Sequence, residues 1–268
     1  MKYYLLDRGD ETSQELAESF HRLAAERGFR EDHDNPDIVI SIGGDGTMLH
    51  AFHQFSDTSE RIAFVGVHTG HLGFYADWKP DELEHMVDLM AESGANLQDK
   101  IVEYPLLKIE LTTTEGLKTY LALNEFTLKG AEATLVARLT INDAPFEMFR
   151  GDGICVSTPS GSTAYNKSLN GALIHPSLET IQIAEIASIN NRVYRTVGSS
   201  LILPRHHHCD IIPNQGQQLL MTIDHVAVPC SSILNVRTMV AEQKVKFARY
   251  RPFPFWNRVR EAFVGEET

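Results

Sequence analysis

A short β-branched run followed by three closely spaced glycines is the feature of this sequence that most restricts its fold. Residues 38–40 are Ile-Val-Ile, and residues 41–47 read Ser-Ile-Gly-Gly-Asp-Gly-Thr. This pattern predicts a buried strand that ends in a sharp turn. The apolar stretch 48–55 predicts a helix with Thr47 near its cap. We expect a phosphate-binding turn here, because glycine lets a ligand approach the backbone and a helix N-terminus offers free N–H donors.

One carboxylate, Asp45, stands inside this turn. An acid is a poor choice for a site that only binds anions, but it is useful if it orients a hydroxyl or accepts its proton. The same composition also occurs in turns without function, so the motif alone leaves both interpretations open. The turn lacks the third glycine of the dinucleotide fingerprint, and residues 161–168 have the wrong spacing for a P-loop. A protein-kinase signature set is absent as well.

Composition and charge exclude several classes of protein. The chain has 268 residues and a formal net charge of −12, which disfavours nucleic acid and anionic membranes as partners. Residues 2–7 predict a strand rather than a signal peptide, and no run of about 18 apolar residues exists. Cys155, Cys209 and Cys230 are widely spaced and odd in number, which argues against a disulfide framework and a thiolate zinc site. We therefore expect a cytoplasmic protein.

Strand and helix signals alternate in the first hundred residues. Residues 12–27 have a helical pattern that stops at Gly28, residues 62–67 predict a strand, and residues 80–90 predict a helix. Such alternation predicts a doubly wound α/β domain, in which ligands bind beyond the carboxyl ends of parallel strands. We predict that this domain spans residues 1–100 and carries the glycine turn.

The pattern changes after residue 100 to short strand-like runs separated by turn residues. These runs are residues 106–111, 118–123, 134–141, 200–203, 219–223 and 233–237. They predict a mainly antiparallel β domain over residues 101–239. The tail, about residues 240–268, mixes arginines with aromatic residues and prolines, and we expect it to pack back on the first domain.

Two further polar segments could bind a ligand. Residues 150–168 contain too many polar and small side chains for a strand, turn and helix of the core. Tyr165 in this segment could stack on a base, while Asn166 and Ser168 could read its edges. Asn124 and Glu125 follow a predicted strand, where a carboxylate could bind a ribose diol and an amide an adenine edge. Taken singly, a capped Ser/Thr-rich loop remains the less favoured alternative for the first segment, whereas a solvated strand end is the favoured interpretation of the second.

Together the Asp45 turn, the Asn124-Glu125 pair and the Asp152-to-Ser168 segment resemble the NAD kinase family in order and spacing. The resemblance covers nearly the whole chain, including residues 68–74, 170–176 and 253–256. The glycine motif alone is shared with phosphofructokinases and lipid kinases, whereas the other two segments are more selective. The chain looks like a compact bacterial member.

The resemblance implies an enzyme that transfers the γ-phosphoryl of ATP to the 2′-hydroxyl of the adenosine ribose of NAD. By similarity, Asp45 accepts the proton of that hydroxyl, and Ala187 lies in a helix against the ligand. The implied NAD-binding residues are Asp45, Gly46, Asn124, Glu125, Arg150, Asp152, Thr163, Ala164, Tyr165, Asn166, Lys167, Ser168 and Ala187. The implied residues for the ATP phosphates are Gly43, Gly44, Gly46, Thr47 and His50.

The family also implies Mg²⁺ or another divalent cation bound with ATP, without a dedicated protein site. It implies a homo-oligomer, a homotetramer or a homodimer with the homotetramer expected here, in which a neighbouring subunit can complete the site with Tyr194, Arg195 or His225. We assign no metal to residues 206–209, His-His-His-Cys, because adjacent strand residues point to opposite faces; a surface or interface loop is expected there.

One departure from the family leaves alternatives open. Many relatives carry arginine or lysine just after the glycine turn, whereas this chain offers His50 and His53. The donor could therefore be ATP or another polyphosphate. A kinase of the same motif superfamily acting on a lipid or sugar would explain Asp45 but not residues 163–168. A non-catalytic NAD or NADP sensor would explain the pocket but not Asp45.

Overall fold

The structure, a computed structural model, describes residues 1–70, 73–229 and 232–265. His71, Leu72 and Cys230 lie outside the described residues. The chain divides into two compact units: unit 1 contains residues 1–104 and 244–268, and unit 2 contains residues 105–243.

The strands in chain order are β1 (Lys2–Asp7), β2 (Arg30–Glu31), β3 (Ile38–Gly43), β4 (Ala63–His68), β5 (Ile101–Thr113), β6 (Gly116–Ala122), β7 (Glu125–Gly130), β8 (Leu135–Ile141), β9 (Ala144–Gly151), β10 (Gly153–Ser157), β11 (Thr180–Ile186), β12 (Leu201–Pro204), β13 (His208–Pro213), β14 (Leu219–Ile223), β15 (Val226–Val228) and β16 (Ile233–Ala248). The α-helices are α1 (Glu11–Glu26), α2 (Asp45–Gln54), α3 (Leu83–Ser93), α4 (Tyr165–Ser168) and α5 (Phe255–Phe263). Short 3₁₀ segments cover Ser56–Thr58, Pro80–Glu82, Gly94–Lys100 and Ser160–Thr163.

Unit 1 is built on a parallel sheet with the strand order β2-β1-β3-β4. Lys246 and Phe247 of β16 add a further parallel pairing beside β4. Every residue of β3 and β4 is buried, as expected for parallel strands covered on both faces. The carboxyl ends of β1, β3 and β4 lie at one edge, so the glycine turn that follows β3 is at the edge where α/β sheets bind ligands.

Helices cover both faces of this sheet. The ring of Tyr3 contacts Phe20 of α1 at 5.2 Å between centroids, and the ring of Tyr4 contacts Phe55, which follows α2, at 5.1 Å. Because adjacent strand residues point to opposite faces, α1 and α2 pack on opposite sides. The side chain of Asp10 caps α1 by accepting a hydrogen bond from Ser13 N–H, at 3.2 Å.

Unit 2 is mostly antiparallel. One sheet has the order β12-β11-β10-β7-β14-β15. Among the other strands, β9 pairs with β8, β8 pairs with β13, and β13 pairs with Val236–Met239 of β16, each time antiparallel. A cluster of buried side chains contains members of both sets of strands, such as Phe126 of β7 and Leu139 of β8. The predicted fold class, a doubly wound α/β domain with a mainly antiparallel β second domain, is confirmed.

Two predictions of local structure are wrong. The helix after the glycine turn begins at Asp45, because Gly44 is its N-cap, and not near residue 48. Residues 153–157, predicted as part of a polar segment, form the fully buried strand β10. This strand is central because β7 and β11 pair with its two edges, and Ile154, Cys155 and Val156 supply its apolar middle. Within the three described ranges, no helix is both long and apolar enough to cross a membrane.

Candidate active site

The glycine turn leaves the start of α2 accessible. A Cβ added to Gly43 would lie 2.2 Å from Thr47 Oγ1, so this position needs glycine for close packing. A Cβ at Gly44 or Gly46 would meet no atom within 4 Å. Gly44 caps α2 without any side chain, which leaves the first N–H groups of the helix to other partners. His50 is exposed on the same helix. The turn therefore has room for an anion at a helix N-terminus.

Asp45 lies in the first turn of α2, and two backbone N–H groups from outside this helix hold its carboxylate. Its Oδ2 accepts from Phe74 N–H at 2.9 Å, and its Oδ1 accepts from Tyr75 N–H at 3.1 Å. A Cβ added to Gly73 would lie 2.1 Å from Asp45 Oδ1, so the carboxylate occupies the space that a side chain at Gly73 would fill. Burial raises the pKa of Asp45 above its ordinary value, while these two N–H donors oppose part of the rise. A raised pKa makes this carboxylate a better proton acceptor than an exposed aspartate.

The Asn124-Glu125 pair follows a strand, as predicted, and Glu125 also begins the next one. Strand β6 ends at Ala122, and β7 starts at Glu125. Polar and apolar residues alternate in the sequence Glu-Phe-Thr-Leu-Lys at the start of β7. Phe126 and Leu128 therefore enter the apolar core. Glu125, Thr127 and Lys129 share the other face of the strand. The polar pair therefore stands at the head of a strand whose polar face is turned away from that core.

Asp224, a residue without a predicted role, fixes the backbone of this pair. Its carboxylate accepts hydrogen bonds from Leu123, Asn124 and Glu125 N–H at 3.0, 2.7 and 3.0 Å. Asp224 N–H in turn donates to the Glu125 carbonyl at 2.8 Å. The residue has a positive φ of 51° in the turn between β14 and β15. The sequence offered only the weak signal of an aspartate at a turn, where aspartate tolerates this conformation.

The Glu125 side chain is buried, and its surroundings compensate a negative charge there poorly. Burial and the nearby charge of Asp224 raise the pKa of Glu125 to about 8, although Tyr165 N–H donates to the carboxyl group. Its Oε2 atom has no hydrogen-bond partner among the described residues. Ser157 pairs directly with Glu125 across β10 and β7, and its Oγ atom is buried without a described partner as well. Two adjacent buried polar atoms of this kind indicate a site for a polar ligand.

Tyr165 lies on the polar face of β7. Lys129 Nζ donates to its hydroxyl at 3.1 Å and lies 4.6 Å from the ring centroid. Thr163 ends the preceding 3₁₀ turn and donates its hydroxyl to the Ser160 carbonyl at 3.1 Å. Ala164 links this turn to α4. The contacts join Tyr165 to both Glu125 and Lys129.

The other residues of the Tyr165 segment differ in exposure. Lys167 and Ser168 are exposed, whereas Asn166 is buried. The Asn166 amide faces the carbonyl groups of Ser162 and Ala172, at 3.5 Å from each. The side chain of Asn166 is therefore turned toward the local backbone.

A second group in unit 2 contains Arg150, Asp152 and Ala187. The Arg150 guanidinium lies 4.3 Å from the ring centroid of Tyr194. Asp152 is exposed, and its N–H donates to the Ile186 carbonyl at 2.9 Å. The expectation of a helix at Ala187 is wrong, because the residue follows β11 directly and has a φ of 46°. Ile181 and Ile183 flank Gln182, and this alternation of β-branched and polar residues is typical of a strand.

The histidine run is divided between a turn and a strand. His206 and His207 precede β13, while His208 begins it and lies 3.2 Å from Asp143 and 3.7 Å from Asp210. These three residues are of the types that bind metals. However, Arg237 donates to Asp143 at 2.7 Å and to Asp210 at 2.8 Å. The guanidinium is paired with both carboxylates, so the group is explained as an ion-pair cluster.

Comparison with known proteins covers most of the sequence. Residues 7–95 match the ATP-NAD kinase N-terminal domain, and residues 123–249 match the ATP-NAD kinase C-terminal domain. NAD kinase 1 of Bacillus cereus is 52% identical to this chain over 269 residues, which cover 100% of both chains. NAD kinase 1 of Bacillus subtilis is 51% identical over 268 residues and 99% of each chain.

Two solved structures share the fold at low sequence identity. Yeast NADH kinase complexed with NADH has a TM-score of 0.82 at 18% identity, covering 100% of this chain and 88% of that one. An NAD kinase from Archaeoglobus fulgidus in complex with ATP has a TM-score of 0.78 at 16% identity, covering 100% of both chains. The two domain matches and the full-length identity extend this likeness from fold to family. The chain therefore belongs to the ATP-NAD kinase family.

Proposed function

We propose that this protein transfers the γ-phosphoryl group of ATP to the 2′-hydroxyl of the adenosine ribose of NAD, giving NADP and ADP. Family membership supports this reaction. The observation that carries it is Asp45, a partly buried carboxylate with a raised pKa at the start of a helix whose N-cap, Gly44, has no side chain. A base and a phosphate-binding turn in the same four residues suit phosphoryl transfer to a hydroxyl.

In this proposal Asp45 orients the 2′-hydroxyl and accepts its proton. Phosphoryl transfer passes through a loose transition state, so the proton can leave late and a modest base suffices. The backbone N–H groups of Gly44 and Gly46 bind the ATP phosphates, with Gly43, Thr47 and His50 around them. Mg²⁺ or another divalent cation accompanies the phosphates, and we assign it no protein ligand. Protonated His50 or His53 would add the positive charge that other family members obtain from arginine or lysine.

Residues of unit 2 bind NAD in the same proposal. Glu125 and Asn124 bind the adenosine half, and Tyr165 stacks on its base. The two buried oxygen atoms without described partners, on Glu125 and Ser157, support a ligand with several hydroxyl groups. The remaining residues proposed to line the site are Arg150, Asp152, Thr163, Ala164, Asn166, Lys167, Ser168 and Ala187. We further propose a cytoplasmic homotetramer that serves NADP biosynthesis.

The test is an end-point assay of purified protein with ATP, Mg²⁺ and NAD. An NADP-specific dehydrogenase converts the product into an NADPH absorbance signal. We expect a signal that requires all three components and falls by about 10² or more in Asp45→Asn, while NAD affinity changes by less than about tenfold. Signal with inorganic polyphosphate but not with ATP would change the donor. Absence of signal with either donor, while NAD still binds, would favour the sensor.

A further inference from the structure

A buried ion cluster in unit 1 lies beside the segment that holds Asp45. Asp77, Arg249 and Arg258 are each less than one-tenth exposed. Arg249 pairs with Asp77 Oδ2, and Arg258 Nη2 pairs with Asp77 Oδ1 at 3.1 Å. Two guanidinium groups therefore share one carboxylate, which leaves an excess positive charge in the interior. Burying such an excess is costly unless another anion compensates it.

Arg258 also binds the backbone on both sides of the Asp45 contacts. Its Nη1 donates to the Gly73 carbonyl at 2.7 Å and to the Ala76 carbonyl at 2.7 Å. The residues between these carbonyls are Phe74 and Tyr75, whose N–H groups hold the Asp45 carboxylate. One guanidinium thus fixes the ends of a four-residue segment, and the middle of that segment fixes Asp45.

Helix α5 carries Arg258 and packs on the same segment. Phe255 is buried one turn before Arg258 on this helix, and its ring lies 6.1 Å from the ring of Phe74. Phe263, at the end of α5, stacks on Phe74 at 5.7 Å with an interplanar angle of 25°. These two aromatic contacts with Phe74 keep α5 against the segment and keep Arg258 within reach of the two carbonyls.

Arginines of the C-terminal tail also act on the charge of Asp45. Arg258 and Arg249 are the two cationic groups that act on the Asp45 carboxylate, and both lower its pKa against the effect of burial. An ionised Asp45 would supply the second negative charge that these two arginines need beside Asp77. The tail therefore both fixes the position of Asp45 and supplies positive charge that opposes the effect of burial on its pKa.

We propose that Arg258 is a positioning residue for phosphoryl transfer, which holds Asp45 in place through the backbone of residues 73–76. The inference rests on the proposed role of Asp45 as the proton acceptor. Arg258 does not touch the reacting groups in this proposal, and its effect is transmitted by the N–H groups of Phe74 and Tyr75.

The test uses the full-length enzyme and three variants on α5. Arg258→Met removes both the charge and the donors, Arg258→Lys keeps the charge but cannot span both carbonyls, and Arg260→Met removes an exposed arginine two residues away. Measurements are kcat, KM for NAD, the NAD dissociation constant, the pH dependence of kcat, and amide hydrogen exchange of residues 73–77.

We expect kcat of Arg258→Met to fall by about tenfold or more while NAD affinity stays within about threefold. Its acidic limb of kcat should move to higher pH, because loss of a cation raises the pKa of Asp45. Amide exchange at residues 73–77 should become faster. In Arg258→Lys we expect a lower kcat and faster exchange with the acidic limb unchanged, which also provides the test if Arg258→Met does not fold. Arg260→Met should match the wild type.

Wild-type kcat or unchanged amide exchange in folded Arg258→Lys or Arg258→Met would overturn the proposal. Equal losses of kcat and NAD affinity, with no shift of the acidic limb in Arg258→Met, would reduce Arg258 to a general structural residue and also overturn it. If the wild type makes no NADP, the proposed function fails. The exchange experiment then still decides whether Arg258 holds the segment.

Discussion

Two carboxyl groups, Asp45 and Glu125, have raised pKa values for the same first reason, which is burial. Their surroundings differ otherwise. Arginines compensate Asp45, whereas the neighbouring Asp224 carboxylate adds to the rise at Glu125 and brings its pKa to about 8. At the residue scale, cations thus oppose the rise in pKa at Asp45, whereas Glu125 retains a proton near neutral pH in the free protein.

The raised pKa of Glu125 predicts a specific pH dependence of stability. Folded Glu125 keeps its proton up to about pH 8, whereas the unfolded side chain loses it near its ordinary pKa of 4.5, so the free energy of unfolding falls as pH rises between these values. Glu125→Gln removes this loss. We expect the variant to gain about 2 kcal/mol over the wild type at pH 8 and much less at pH 5, measured by denaturant unfolding.

Exposed Glu132→Gln is the matched control and should show no pH-dependent gain. Above pH 8 the same Glu125→Gln variant should bind NAD about tenfold more weakly, because an ionised carboxylate offers the ribose hydroxyls two acceptor oxygens and an amide offers one. An equal gain at pH 5 and pH 8 would contradict the assignment of the proton to Glu125.

Two substitutions of Tyr165 separate the contribution of its ring to NAD binding from that of its hydroxyl. We expect Tyr165→Ala to weaken NAD binding by about 1–3 kcal/mol, because the stacking surface is lost. Tyr165→Phe keeps the ring and loses only the contact of the hydroxyl with Lys129, so its effect should stay below about 1 kcal/mol. Titration calorimetry measures both, and an unchanged affinity in Tyr165→Ala would remove the residue from the site.

At the scale of elements, the sequence predicts segments well where a periodic pattern ends in a recognisable residue. Helix α1 was expected at residues 12–27 and is observed at Glu11–Glu26, and β14 has the predicted bounds. Strand β10 was missed because the glycine, serine and threonine residues on both sides of it resemble a loop in sequence, and β11 was missed although Ile181 and Ile183 flank Gln182 in a pattern typical of a strand. Contacts between distant segments, such as Asp224 with residues 123–125, leave no local signal at all.

Two glycines after β4 should differ in how much their substitution by alanine lowers turnover. Gly73→Ala would place a Cβ 2.1 Å from Asp45 Oδ1, so the carboxylate must move. We expect turnover to fall by about 10² with NAD affinity retained within about threefold. A Cβ at Gly70 would meet no atom within 4 Å, so Gly70→Ala should keep wild-type turnover. Similar kinetics of the two variants would show that the Asp45 contact does not depend on Gly73.

At the scale of the whole molecule, the surface of unit 2 supports the proposed homotetramer. Several large apolar side chains of this unit are exposed, including Phe146 and Met148 on β9 and Val193, which is 78% exposed. Apolar surface of this kind is used in association. We expect light scattering after size-exclusion chromatography to give about four times the 30.1 kDa chain mass. A monomer mass at micromolar concentration would contradict the proposal.

Unit 1 is assembled from two stretches of chain, whereas residues 105–243 of unit 2 follow one another without interruption. During synthesis, Asp45 leaves the ribosome more than two hundred residues before Arg258 does. Lys246 and Phe247, which pair with β4, are also made late. A nascent chain therefore finishes the sequence of unit 2 while Asp45 still lacks its arginine partners. The order of translation thus delays the completed surroundings of Asp45 until Arg258 has been added.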